Sequence, residues 1–215
     1  MNFFAHGRHY LDDEYFLAGT AVPDWLNVVN RRAKARSAKA EPFTTNTDPD
    51  IAALARGIIQ HHHDDQWFHQ TTAFVELNLK FSAMIRDCVP DDEGMRPHFL
   101  GHILVELLLD ADLIAESTEQ LGEYYAAIRK VDADKVESVV DSITTKPVDR
   151  LGELIVRFCE IEFLYDYLED EKLLYRLNQV MKRVRLPEIP SKFLSILPAC
   201  RQVVSERRHE LLNAP

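Results

Sequence analysis

The chain has 215 residues and carries 25 Lys+Arg against 35 Asp+Glu, a formal net charge of −10 with histidine neutral. That balance argues against a general nucleic-acid binder, whose phosphate contacts need a basic surface, while 46% apolar residues supply a real core and exclude a disordered chain. With only 7 glycines, and neither GxGxxG nor GxxxxGKS/T present, a Rossmann or P-loop protein is excluded as well.

Residues 1–16 lack a basic start followed by an apolar core, and acids arrive by Asp12, so they do not read as a secretory signal. Apolar spacing along the rest is helical with few alternating runs, which predicts an all-α helical bundle in one domain over residues 1–215. Pro23-Asp24 reads as the first break. Arg31, Arg32, Lys34, Arg36 and Lys39 then form a basic run, either a solvated helix end or loop, or a contact for phosphate or an acidic partner. After a Pro42 to Pro49 break, Asp48-Pro49-Asp50 offers cap chemistry to residues 51–81, read as one long helix or two joined.

Cys88 to Gly94 is the next break, and Pro97 suits the first turn of a helix over residues 97–115, because its missing N–H would have had no intrahelical partner. Further helices are predicted over residues 118–128, 133–144, 149–185 and 190–212, with breaks at Thr144 to Pro147 and Leu186 to Pro190. No apolar run reaches 18 residues, Glu106 interrupting residues 103–109, so a soluble chain without a membrane span is expected. Cys88, Cys159 and Cys200 are odd in number and far apart, which fits a reducing cytoplasm better than a disulfide framework or a CxxC metal site.

Chemistry concentrates in the histidines, eight of the nine falling before residue 103. His61, Asp65 and His69 are spaced i, i+4, i+8, and His98, His102 and Glu106 repeat that spacing. At about 100° per residue each four-residue step drifts only about 40°, so each trio fans along one helix face, and two opposed faces could enclose a metal. Imidazole nitrogen and carboxylate oxygen suit divalent Zn, Mn and Fe, and mixed sets leave positions open for water. Glu106, inside Leu-Val-Glu-Leu-Leu-Leu, needs a partner if it faces the core. His62 and Asp64 read as a solvated face, and Asp110 and Asp112 as solvent-facing residues near a helix end.

These residues carry a resemblance. Met1-Asn2-Phe3-Phe4-Ala5-His6, then Gly19 and Val22-Pro23-Asp24, is similar to the N-terminus of the bacterial acyl-carrier-protein phosphodiesterases. Gly57-Ile58-Ile59-Gln60-His61 with Asp65, and Gly101-His102-Ile103-Leu104, extend the likeness over about the first 115 residues. The resemblance implies an all-helical, HD-like metal-dependent phosphohydrolase that cleaves the phosphopantetheine phosphodiester of acyl carrier protein with manganese. His69 and Gly101 depart from it, standing where the family has Asp.

The leading expectation is therefore a phosphodiesterase with one or two divalent ions. His6, Asp24, His61, Asp65 and His102 form its ligand core, and His69, His98 and Glu106 are further ligands or their supports. Asp24 or Asp65 would act as general base and His98 or His69 as acid, with Arg8, Arg31 or Arg32 meeting phosphate. A second reading, favoured by the departures at His69 and Gly101, is a non-catalytic helical module that binds a metal or a partner. A third leaves the histidines as satisfied core groups.

Overall fold

The computed structural model describes residues 1–89 and 94–213, and all its regular structure there is helical. In chain order the α-helices are α1 Phe3–Gly7, α2 Glu14–Val29, α3 Ser37–Ala40, α4 Pro49–Phe68, α5 Thr72–Cys88, α6 Pro97–Glu116, α7 Thr118–Ile128, α8 Ala133–Ile143, α9 Leu151–Ile161, α10 Asp170–Val184 and α11 Leu197–Leu211. Short 3-10 turns cover Glu41–Phe43, Phe163–Leu168 and Ser191–Ile196. No helix among the described residues is long and apolar enough to cross a membrane. The expected break from Cys88 to Gly94 lies in part, at residues 90–93, outside the described residues.

The chain divides into two compact units. One comprises Asn2–Gln66 and Ser117–Phe163, and the other Met1, Trp67–Glu116 and the chain from Leu164 onward. In the first unit, side-chain caps start α2, α7 and α8: Asp13 accepts from Phe16 N, Ser117 from Gln120 N, and Asp132 from Asp134 N and Lys135 N. Each such cap satisfies an orphan donor and contributes about 1 kcal/mol. The core holds Phe4, Leu17, Trp25, Leu54, Ile58, Tyr124 and Tyr125, with Trp25 edge-on to Phe158 at 5.5 Å. Fully burying one such leucine or isoleucine contributes about 1.5–3 kcal/mol.

Two glycines decide how α2 meets α4. A Cβ on Gly19 would stand 2.2 Å from Leu54 O, and one on Gly57 would stand 2.1 Å from Phe16 O. Only hydrogen fits at either place, so the backbones touch there.

In the second unit α5 and α6 lie along each other. Phe68, Leu77, Phe81, Leu100, Leu104 and Leu108 are buried. Asn78 and Ser82 line the contact, Ser82 Oγ donating to Asn78 O at 2.6 Å. A Cβ on Gly101 would lie 2.9 Å from Asn78 Oδ1 and 3.0 Å from Asn78 O. An aspartate there has no room.

Several helix limits differ from the sequence expectation. Pro23 lies inside α2 instead of breaking it. Residues 51–81 are two helices, because Thr71 adopts extended backbone, donates to Phe68 O and caps Phe74 N. Residues 149–185 are also divided: Glu162, at φ 50, ends α9 in the left-handed region, normally a glycine position. Arg129 pairs with the Glu162 carboxylate and donates to Cys159 O at 2.7 Å, so a side chain from the turn after α7 completes that helix end.

Candidate metal centres

The described residues contain two groups of three with ligand atoms all within 4.8 Å of one another, His6 with His61 and Asp65, and His69 with His102 and Glu106. Each group lies within one unit. Each is two imidazoles and one carboxylate, a donor set that suits first-row divalent ions and leaves coordination positions open.

The first centre joins α1 to α4. His6 is 1% exposed, and its ring stacks on that of His61 with centroids 4.1 Å apart. His61 Nδ1 lies 2.8 Å from Thr20 O, and because a carbonyl only accepts, Nδ1 carries the hydrogen. His6 Nδ1 lies 3.4 Å from Asp64 Oδ2 and donates in the same way. In the neutral rings both Nε2 atoms therefore carry lone pairs facing Asp65, His6 at 3.3 Å from Oδ1 and His61 at 3.5 Å from Oδ2.

That contact is not a hydrogen bond for His6, whose buried Nε2 has no hydrogen-bond partner. The space among these atoms could hold a cation, a proton or a metal ion, and fixed Nδ1 sides are what metal-binding histidines use to set tautomer and ring orientation.

The electrostatics bring a proton to His61 where no metal competes for it. Burial works against a charge on His61, but Asp65 and the charge of Asp24 overcome it and raise its pKa. Burial likewise works to raise Asp65, and His6 and His61 outweigh it, holding the carboxyl well below the usual range. Asp65 stays anionic and, with its side chain 31% exposed, opens one side of the centre to solvent.

The second centre joins the turn after α4 to α6. His69 Nε2 and His102 Nε2 lie 2.8 and 3.3 Å from the same atom, Glu106 Oε1, and the Met1 α-amino group lies 3.3 Å from it. Burial would raise the Glu106 carboxyl, but the α-amino charge, His102 and His69 together hold it well below its ordinary value. Phe74 packs on both rings, at 4.8 Å from His69 and 4.9 Å from His102, and Phe68 stands 5.5 Å from His69.

The predicted fans are thus recombined. α4 ends at Phe68, so His69 leaves the His61 and Asp65 face and groups with His102 and Glu106. His98 enters neither group, its Nε2 standing 3.5 Å from Asn78 Nδ2. Asp24 is not among the three close ligands and acts on His61 through its charge.

Asp64 and Asp110, expected in solvent, are 8% and 0% exposed, while Asp112 pairs with Arg208. Asp64, read from the sequence as part of a solvated face, instead stands behind His6. It follows His61 by three residues, about 60° around the helix, which places it on the edge of the inner face. His62 meets Ala35 O at 2.6 Å and ties the basic stretch to α4, and His63 faces solvent. Comparisons with protein-family models, curated proteins and solved structures give no match to this chain.

Proposed function

We propose that the protein is a divalent-metal-dependent hydrolase of phosphoesters, working at the centre of His6, His61 and Asp65. The observation that carries this is the convergence of two Nε2 lone pairs on one anionic carboxylate, with each ring locked from behind by Thr20 O or Asp64. A divalent ion bound there supplies an acidified water near neutral pH and neutralises charge on the phosphate oxygens.

The chain's own groups divide the remaining work. Asp65, held strongly anionic, suits ligation and not proton acceptance, so the general base falls to Asp24, whose charge already reaches His61. Arg8, Arg31 and Arg32 belong to the same unit and offer planar forks that match phosphate. Support for a phosphodiester, and for holo acyl carrier protein as its bearer, comes from the motif likeness at His6, Asp24, His61 and Asp65. A protein of net charge −10 would meet an acidic carrier through its local basic run at residues 31–39.

Hydrolysis of bis-p-nitrophenyl phosphate with Mn, Zn or Fe tests the reading. Asp24→Ala and His61→Ala should each lower turnover at least tenfold with helical circular dichroism intact. Unchanged turnover in both would overturn the assigned site. Retained metal with no turnover on any phosphoester would replace the enzyme with a helical metal-binding module.

A further inference from the structure

We infer that His69, His102 and Glu106 form a second divalent-cation site, loaded independently of the first and open enough to exchange its ion. Two imidazole nitrogens and an α-amino group crowd one carboxylate oxygen, Glu106 Oε1, within 3.3 Å. The ligand atoms of His69, His102 and Glu106 all lie within 4.8 Å of one another, close enough for one ion to touch all three. A single divalent cation placed among them would take one lone pair from each imidazole and one from the carboxylate.

The setting is that of a binding site and not of a surface ion pair. Phe74 contacts both imidazoles and Phe68 backs His69, so the rings are held in place before any ion arrives. An apolar wall behind the ligands also strengthens their pull on a cation by lowering the local dielectric. His102 and Glu106 are one helical turn apart on α6, which keeps their spacing rigid.

The second site contrasts with the first in access. The side chains of His69 and His102 are 30% and 37% exposed, against 0% and 4% for His6 and His61. Open ligands without buried carbonyl or carboxylate hydrogen bonds behind them give a faster-exchanging, weaker site for borderline ions such as Zn(II), Co(II) or Ni(II). This does not depend on hydrolysis at the first centre, because its ligands share no residue with it.

The test is titration of tag-free, chelator-stripped protein with Co(II) and with Zn(II), counting bound ions by elemental analysis and following the Co(II) absorption bands. The wild type should bind two ions per chain. His102→Ala and Glu106→Gln should each bind one, with the lost ion the weaker by at least tenfold in Kd. His61→Ala should keep that weaker ion, and His61→Ala/His102→Ala should keep none.

Should Glu106→Gln fail to fold, the half-exposed His102→Ala decides. Two ions retained in both unit-two variants, or one ion in the wild type that only His61→Ala removes, would overturn the second site. One ion that survives His61→Ala and is lost in His102→Ala would support it while sinking the first centre. No ion in the reconstituted wild type would overturn both.

Discussion

At the residue scale, the decisive groups are those that stand behind the ligands. Asp64 is buried between Gln60 Nε2, which donates to its Oδ1 at 2.7 Å, and His6 Nδ1. Asp64→Asn keeps the volume and removes the charge that orients His6. Loss of such a support typically costs 10- to 100-fold in metal affinity. We expect that drop for the tighter ion in isothermal titration, with the melting curve of the metal-free protein little changed. Affinity unchanged by Asp64→Asn would show that His6 needs no orienting partner.

The same titration, repeated between pH 6 and 8, carries a sign. A ligand imidazole must be neutral to bind metal. Because His61 is held protonated to a higher pH than an ordinary histidine, the tighter ion should begin to weaken on acidification while the pH is still above about 6.5. Affinity flat down to pH 6 would contradict that.

At the element scale, the first centre depends on how closely α2 and α4 approach. His61 lies one turn beyond Gly57, and Thr20, whose carbonyl orients it, follows Gly19. Gly57→Ala would ordinarily favour a helix by about 0.5–1 kcal/mol. Here the new methyl meets Phe16 O at 2.1 Å, a backbone atom that cannot swing aside. Overpacking of this kind costs about 1–3 kcal/mol. The variant should therefore unfold at lower urea than the wild type and lose the tighter ion, as read by denaturation midpoint and metal count. A Gly57→Ala protein more stable than the wild type would mean that the two helices are not in backbone contact.

Helix limits show where local signals suffice. The helix at Thr118–Ile128 has Ser117 as its cap and matches the sequence expectation end to end. α9 stops at Ile161 without a glycine or proline, because Arg129 from the turn after α7 stabilises the left-handed Glu162. No local pattern announces such a stop.

For the whole molecule, each unit carries one trio of ligands. A ligand present at 100 times its Kd stabilises the folded form by about 2.7 kcal/mol. In a chain of this size each kcal/mol moves Tm by about 2–4 °C. Metal-loaded protein should thus melt roughly 5–10 °C above the chelator-treated sample for the unit that binds the tighter ion. Equal melting temperatures in the two samples would argue that the histidines bind no ion in the folded state.

Sequence alone determined the helical class and the within-helix pairs. His61 with Asp65 and His102 with Glu106 follow from four-residue spacing, since about 100° per residue brings such positions onto one face. The caps at Asp13, Ser117 and Asp132, which the structure shows, are local in the same sense: short polar side chains satisfy orphan donors where a helix begins.

Only tertiary structure decided which histidine joins which pair. His6 reaches Asp64 across 58 residues, and His69 reaches Glu106 across 37. Helical periodicity carries phase only within one helix. The one-turn break at His69 to Thr71 loses that phase, and packing of distant segments sets it anew.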